Sequence, residues 1–93
     1  MTLHETLKAL GFKRENYCHV ALIGRLNVVI FFDGGDRLTL SAMDKDSKSG
    51  DFEQVEIGWV GDPDDIEKAI YELYTLVFGY EPDSVERGTW PFD

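Results

Sequence analysis

The 93-residue chain carries 18 Asp and Glu against 9 Lys and Arg, a formal net charge of −9, and 43 % of its residues are hydrophobic, twelve of them aromatic. That apolar content excludes a disordered acidic tail, and a chain of this length buries roughly 60 % or a little more of its extended surface, which suits one core. The acid excess excludes direct binding to nucleic-acid phosphates, which needs clustered Lys and Arg, and the lone Cys18 excludes an internal disulfide.

Charge is unevenly distributed. Residues 1–32 hold Glu5 and Glu15 against Lys8, Lys13, Arg14 and Arg25, so 16 of the 18 acids lie in the remainder. A field of this polarity steers basic partners and repels acidic surfaces. Met1 to Gly11 contains Glu5 and lacks an apolar h-region, and the longest apolar run, Val28 to Phe32, is far short of the ~20 residues of a spanning helix. A cytoplasmic protein that does not contact membranes is expected.

In chain order, Thr2 with Glu5 three residues on forms a capping box, and Leu3, Leu7 and Leu10 share one helical stripe. Gly11 ends that helix, and Phe12 is placed to fold back on Leu7. The period then changes to two, and four strands are read over Tyr17–Ile23, Leu26–Asp33, Arg37–Met43 and Phe52–Val60. A two-residue Gly24-Arg25 turn pairs Ile23 with Leu26, Ala21 with Val28 and His19 with Ile30. A three-residue loop after Asp33 pairs Asp33 with Arg37, Phe32 with Leu38, Ile30 with Leu40 and Val28 with Ala42. A two-residue loop would instead oppose Asp33 to Asp36.

This register assigns Tyr17, His19, Ala21, Ile23, Leu26, Val28, Ile30, Phe32, Leu38, Leu40 and Ala42 to the face that receives the helices. The opposite face carries Cys18, Val20, Leu22, Asn27, Val29, Phe31, Asp33, Arg37, Thr39, Ser41 and Met43. Its apolar centre points to a covering segment, a binding surface or a homodimer interface. Asp44 to Asp51 reads as a polar hairpin loop. Asp62-Pro63-Asp64-Asp65 opens a second helix, whose apolar residues Ile66, Ala69, Ile70, Leu73, Leu76 and Val77 recur until Gly79. The expected fold is α+β, one two-layer domain over residues 1–80 with a four-stranded antiparallel meander and two helices in the order α-β-β-β-β-α. Residues 81–93 read as an acidic tail bearing Trp90 and Phe92.

Sites for chemistry are not evident. The Asp44 to Glu53 stretch places Lys48, Ser49 and Val55 where a calcium loop needs an oxygen ligand, Gly and Glu. Cys18 and His19 are adjacent and point to opposite faces of a strand, and His4 has no ligand partner nearby in sequence, so no metal is expected. Gly34-Gly35 sits in a hairpin rather than before a helix, so it cradles no phosphate. No catalytic or cofactor-binding residue is assigned, and an enzyme, which would need a cleft such as one at a dimer interface, is the least favoured class.

In size, acidity and lack of a catalytic motif the chain resembles the small phage- or plasmid-encoded DNA mimics, including anti-restriction and anti-CRISPR inhibitors. The resemblance attaches to no particular stretch and carries over no residues. It implies an inhibitor whose carboxylates stand where phosphates would sit on a basic, nucleic-acid-handling protein. The expected contact residues are Glu53, Glu56, Asp64, Asp65, Glu67 and Glu72, with Phe31, Trp90 and Phe92 as apolar contacts. The alternative is a regulatory or immunity-type module that binds through the apolar sheet face or the aromatic tail, its acidity serving solubility.

Overall fold

Alternation of side chains within β-hairpins closed by two glycine-bearing turns builds the centre of this molecule, because Ile23, Leu26, Val28, Ile30, Leu38, Leu40 and Ala42 share one face and are removed from water together. The computed structural model describes residues 2–32, 34–59 and 61–90. Its elements are α1 (Leu3–Ala9), β1 (Lys13–Glu15), β2 (Cys18–Ile23), β3 (Leu26–Phe32), β4 (Arg37–Asp44), β5 (Glu53–Gly58), α2 (Pro63–Phe78) and α3 (Ser84–Arg87). The strands form one antiparallel meander in the order β1-β2-β3-β4-β5.

The class is α+β as expected, but the sheet has five strands rather than four. The added strand, Lys-Arg-Glu, pairs Lys13 with Val20, Arg14 with His19 and Glu15 with Cys18. It contains no apolar residue, so alternation could not reveal it. The hairpin registers read from the turns hold: Ile23 opposes Leu26, His19 opposes Ile30, Ile30 opposes Leu40 and Phe32 opposes Leu38. Asp33, expected opposite Arg37, lies outside the described residues, as does Val60 at the expected end of the last strand.

Helix ends follow the local chemistry. Thr2 Oγ1 accepts the Glu5 N–H at 3.2 Å and donates to the Glu5 carboxylate at 3.0 Å. At the other end Phe12 N–H donates to Leu7 O at 2.9 Å and Gly11 N–H to Lys8 O at 3.0 Å, with Gly11 at φ 92°, a left-handed stop that folds Phe12 into the core. For α2, Asp62 caps the start and Gly79, at φ 80°, donates to Thr75 O at 2.8 Å.

The buried face consists of Ile23, Leu26, Val28, Ile30, Leu38, Leu40 and Ala42, covered by Leu7, Phe12, Ile66, Ala69, Ile70, Leu73 and Tyr74. Val55 and Ile57 extend it onto β5, opposite Leu40 and Leu38. α2 lies over β4 and β5, and α1 packs beside β1. Two residues assigned to this face escape cover: Tyr17 is 95 % exposed in the turn before β2, and Phe32 is 52 % exposed. Alternation sets the side of a sheet to which a residue points, but neither helix reaches this end of it.

Residues 83–90 pack back onto the rest of the fold. Asp83 accepts the Glu86 N–H at 2.7 Å and caps α3. The chain then returns Trp90 to the core, 9 % exposed, with its ring centroid 5.8 Å from that of Tyr74 and 6.4 Å from that of Tyr71. Glu86 Oε1 accepts the Arg25 N–H at 3.2 Å. This closure requires glycine at position 24: φ is +61°, and a Cβ there would lie 2.5 Å from Glu86 Oε1 and 3.1 Å from Trp90 Nε1. Arg25, in the same turn, reaches back with its guanidinium 4.4 Å from the Phe78 ring centroid and donates to Tyr80 Oη at 3.0 Å.

Trp90 thus completes the core instead of extending it, and Trp90→Ala is expected to cost about 3 kcal/mol in denaturant unfolding. Gly24→Ala should also destabilise, because it combines a left-handed backbone with loss of the Glu86 contact. A Trp90→Ala protein within about 0.5 kcal/mol of the original would show that the 81–90 segment is not docked.

Candidate functional site

Two surfaces remain after the core is built, one on each side of the sheet. Opposite the helices, the open face presents three rows across the strands. One runs Lys13, Val20, Val29, Ser41 and Gln54; the next Glu15, Cys18, Phe31, Thr39 and Glu56; the third Leu22, Asn27 and Met43. Thr39 is buried in the middle of the second row. Leu22 is 60 % exposed, Phe31 42 % and Phe52 61 %. An open depression of about 270 Å³ lies among Val29, Phe31, Ser41, Met43 and Phe52. Trp90, which as part of a tail could have covered this face, packs on the other side of the sheet.

The strand registers also separate the charges. Lys13 and Glu15 sit on the open face at one edge, while Arg37 and Glu56 pair across β4 and β5 at 3.6 Å. Among the described strand residues this face therefore carries two cations, Lys13 and Arg37, and two carboxylates, Glu15 and Glu56.

The carboxylates expected to act together do not share a surface. Glu56 is on the open face beside Arg37, whereas Glu53, opposite Ala42, is directed to the helix side and borders a small hollow with Asp51, Phe52 and Val77. Asp64 and Asp65 lie in the first turn of α2, next to the Asp62 cap, where they oppose the positive end of the helix. Glu67 is half-buried and Glu72 exposed on the same helix. Phe31 is accessible as expected. Trp90 is in the core and not available to a partner without unfolding the end of the chain, and Phe92 lies outside the described residues. Arg25, one of the four cations of residues 1–32, is occupied within the fold by Tyr80, Phe78 and Asp44, the last at 3.7 Å.

The second surface was not visible in the sequence. α1 brings His4 over β2, where its Nδ1 lies 3.4 Å from Nε2 of His19. The β1–β2 register sets Arg14 directly opposite His19. These three groups join Thr2, Leu3, Tyr17, Phe32, Gly35, Asp36 and Trp59 around an open pocket of about 610 Å³ on the helix side of the sheet. Trp59 is held there by its N–H, which donates to Asp36 O. Partial burial, then the charges of His4 and Arg14, push the His19 pKa below its ordinary value. When both imidazoles are neutral, one N–H bridges them, and the pair is left with one further N–H donor and one lone pair. The only sequence signal was the presence of two histidines 15 residues apart, which acquires meaning only once α1 is docked on β2.

Among the described residues no group of three or more His, Cys, Asp or Glu is placed to hold a metal ion. No described helix is long and apolar enough to cross a membrane. Comparisons with protein-family models, with curated proteins and with solved structures return no match to this chain.

The depressed His19 pKa has a definite consequence for stability. As pH falls below about 6.5 the unfolded chain takes up a proton before the folded one, so stability is full above that pH and declines as pH drops toward the folded value. An NMR titration of the imidazole signals should place the His19 midpoint below 6.5, and both Arg14→Gln and His4→Gln should raise it. A midpoint unaffected by either change would remove Arg14 and His4 as causes.

Proposed function

We propose that this chain is a small protein-binding module whose principal contact surface is the open apolar face of its sheet. The observation that supports this reading is the exposure of Leu22, Phe31 and Phe52 around Val29 and Met43 on a face whose described strand charges balance. Water-exposed apolar area on one side of a sheet is energetically unfavourable until it is covered, and this face has no competing role in the core. The carboxylates around it then serve solubility and steer the approach of partners.

A second reading has its own supporting observation. α2 carries Asp64, Asp65, Glu67 and Glu72 against Lys68 alone, so its outer side is an acidic strip that would suit the basic groove of a nucleic-acid-handling protein. That is the phosphate-mimicking, inhibitory mode. The separation of Glu53 and Glu56 onto opposite sides of the sheet leaves this strip with fewer carboxylates than the full set read from the sequence.

Partner capture at low and high salt separates the two. Under the leading reading, a partner is retained at high salt and lost with Phe31→Glu, while the unfolding free energy of that variant stays within about 1 kcal/mol because Phe31 is already partly exposed. Sedimentation of the free protein shows whether that partner is a second copy. A partner instead released by salt, displaced by DNA and weakened by Glu67→Gln/Glu72→Gln, but indifferent to Phe31→Glu, would replace the sheet face with the acidic helix.

A further inference from the structure

We propose that the pocket between α1 and the sheet binds a small aromatic monocarboxylate, its carboxylate held by Arg14 and the His4–His19 pair and its ring seated against Phe32 and Trp59. The volume of about 610 Å³ falls within the range of small-molecule sites. Its walls are chemically divided by the sheet register. Arg14 and His19 form one row across β1 and β2. Phe32 lies two positions beyond Ile30, the partner of His19, and so on the same face, and Tyr17, Asp36 and Trp59 line the same pocket. A ligand with an anionic end and a flat apolar body matches that division.

The cationic end lacks a counter-charge of its own. Among the described residues Arg14 makes no ion pair, and Asp36, the one carboxylate residue lining the pocket, pairs with neither Arg14 nor a histidine. Glu5, the acid of α1, is engaged with Thr2. Three nitrogen-bearing groups with no facing carboxylate repel one another whenever a proton is added, which agrees with the lowered His19 pKa. A bound carboxylate would relieve this repulsion, accepting two parallel hydrogen bonds from the guanidinium and one from the imidazole pair.

The same groups limit the charge of the ligand. With His19 neutral at pH 7, the pocket offers one permanent positive charge, that of Arg14, together with one imidazole N–H. Asp36 on the rim and the −9 of the chain disfavour a dianion such as a phosphate monoester. The aromatic preference rests on Phe32, 52 % exposed, and Trp59, half-buried, both of which line this space.

The test uses phenylacetate as probe, with 2-phenylethanol as the neutral analogue, acetate as the carboxylate without a ring, and inorganic phosphate as the multiply charged anion. Binding is followed by the imidazole NMR signals of His4 and His19 and by tryptophan fluorescence. Phenylacetate should give saturable shifts at concentrations at least about tenfold lower than the three comparison compounds, and should bind more tightly as pH falls through the His19 midpoint. Arg14→Gln should erase the preference for phenylacetate over 2-phenylethanol with the thermal midpoint unchanged, and Arg14→Lys should restore only part of it. Phe31→Glu, on the other side of the sheet, should leave phenylacetate binding intact, so that failure of the sheet-face reading and failure of this one are told apart. No saturable shift with phenylacetate, an equal response to phosphate, or an Arg14→Gln protein that keeps the preference would each overturn the proposal.

Discussion

The inward ridge of Val28, Ile30, Leu38 and Leu40, packed beneath Ile66, Ile70 and Leu73 of α2, governs where everything else in this molecule lies. These side chains alternate along β3 and β4, so a slip of one residue in either hairpin would place the whole ridge in solvent and bring Val29, Phe31, Thr39 and Ser41 under the helix. The apolar area gained by the correct register, at about 25 cal/mol per Å², outweighs any preference of the turns alone. With the ridge in place, the positions of both functional surfaces follow. Phe31 and Val29 must face outward because Ile30 faces inward, and His19 must stand beside Arg14 on the helix side because it pairs with Ile30.

Charge is arranged around this ridge rather than across it. Glu86 and Asp44 are engaged with Arg25, Glu56 with Arg37, and Asp62 and Asp83 cap helices, so many of the 18 acids have local structural partners. Surface pairs of this kind contribute little stability individually. Among the described residues they leave Arg14 without an ion pair, beside the two histidines, in an acidic protein. An exposed apolar face suits contact with another macromolecule. A cationic, aromatic corner suits a small anion. Because the two surfaces lie on opposite sides of one sheet, each can be altered by substitution without altering the other, and occupation of one leaves the other open.

The end of the chain shows how a few contacts convert a segment that is polar by composition into part of the fold. Trp90 fills space beside Tyr71 and Tyr74, and Glu86 joins the β2–β3 turn through the Arg25 N–H. The requirement for glycine at position 24 is therefore imposed by two residues more than sixty positions away as well as by the turn itself.

What the sequence determined by itself was local. Thr2, Gly11, Asp62 and Gly79 mark helix ends because caps and left-handed stops depend on neighbouring residues only, and the Gly24-Arg25 and Gly34-Gly35 turns set the hairpin registers for the same reason. Alternation then sorted Val28, Ile30, Leu38 and Leu40 from Val29 and Phe31. The tertiary structure decided what depends on distant segments meeting. β1 pairs although Lys-Arg-Glu has no apolar signature, because β2 offers it an open edge. Tyr17 and Phe32 remain exposed because no helix extends over them, and Trp90 is buried because α2 presents two rings to it. His4 and His19 become a pair only when α1 docks, and Glu53 and Glu56 are divided by the sheet itself, since a strand sends residues separated by an odd number of positions to opposite faces.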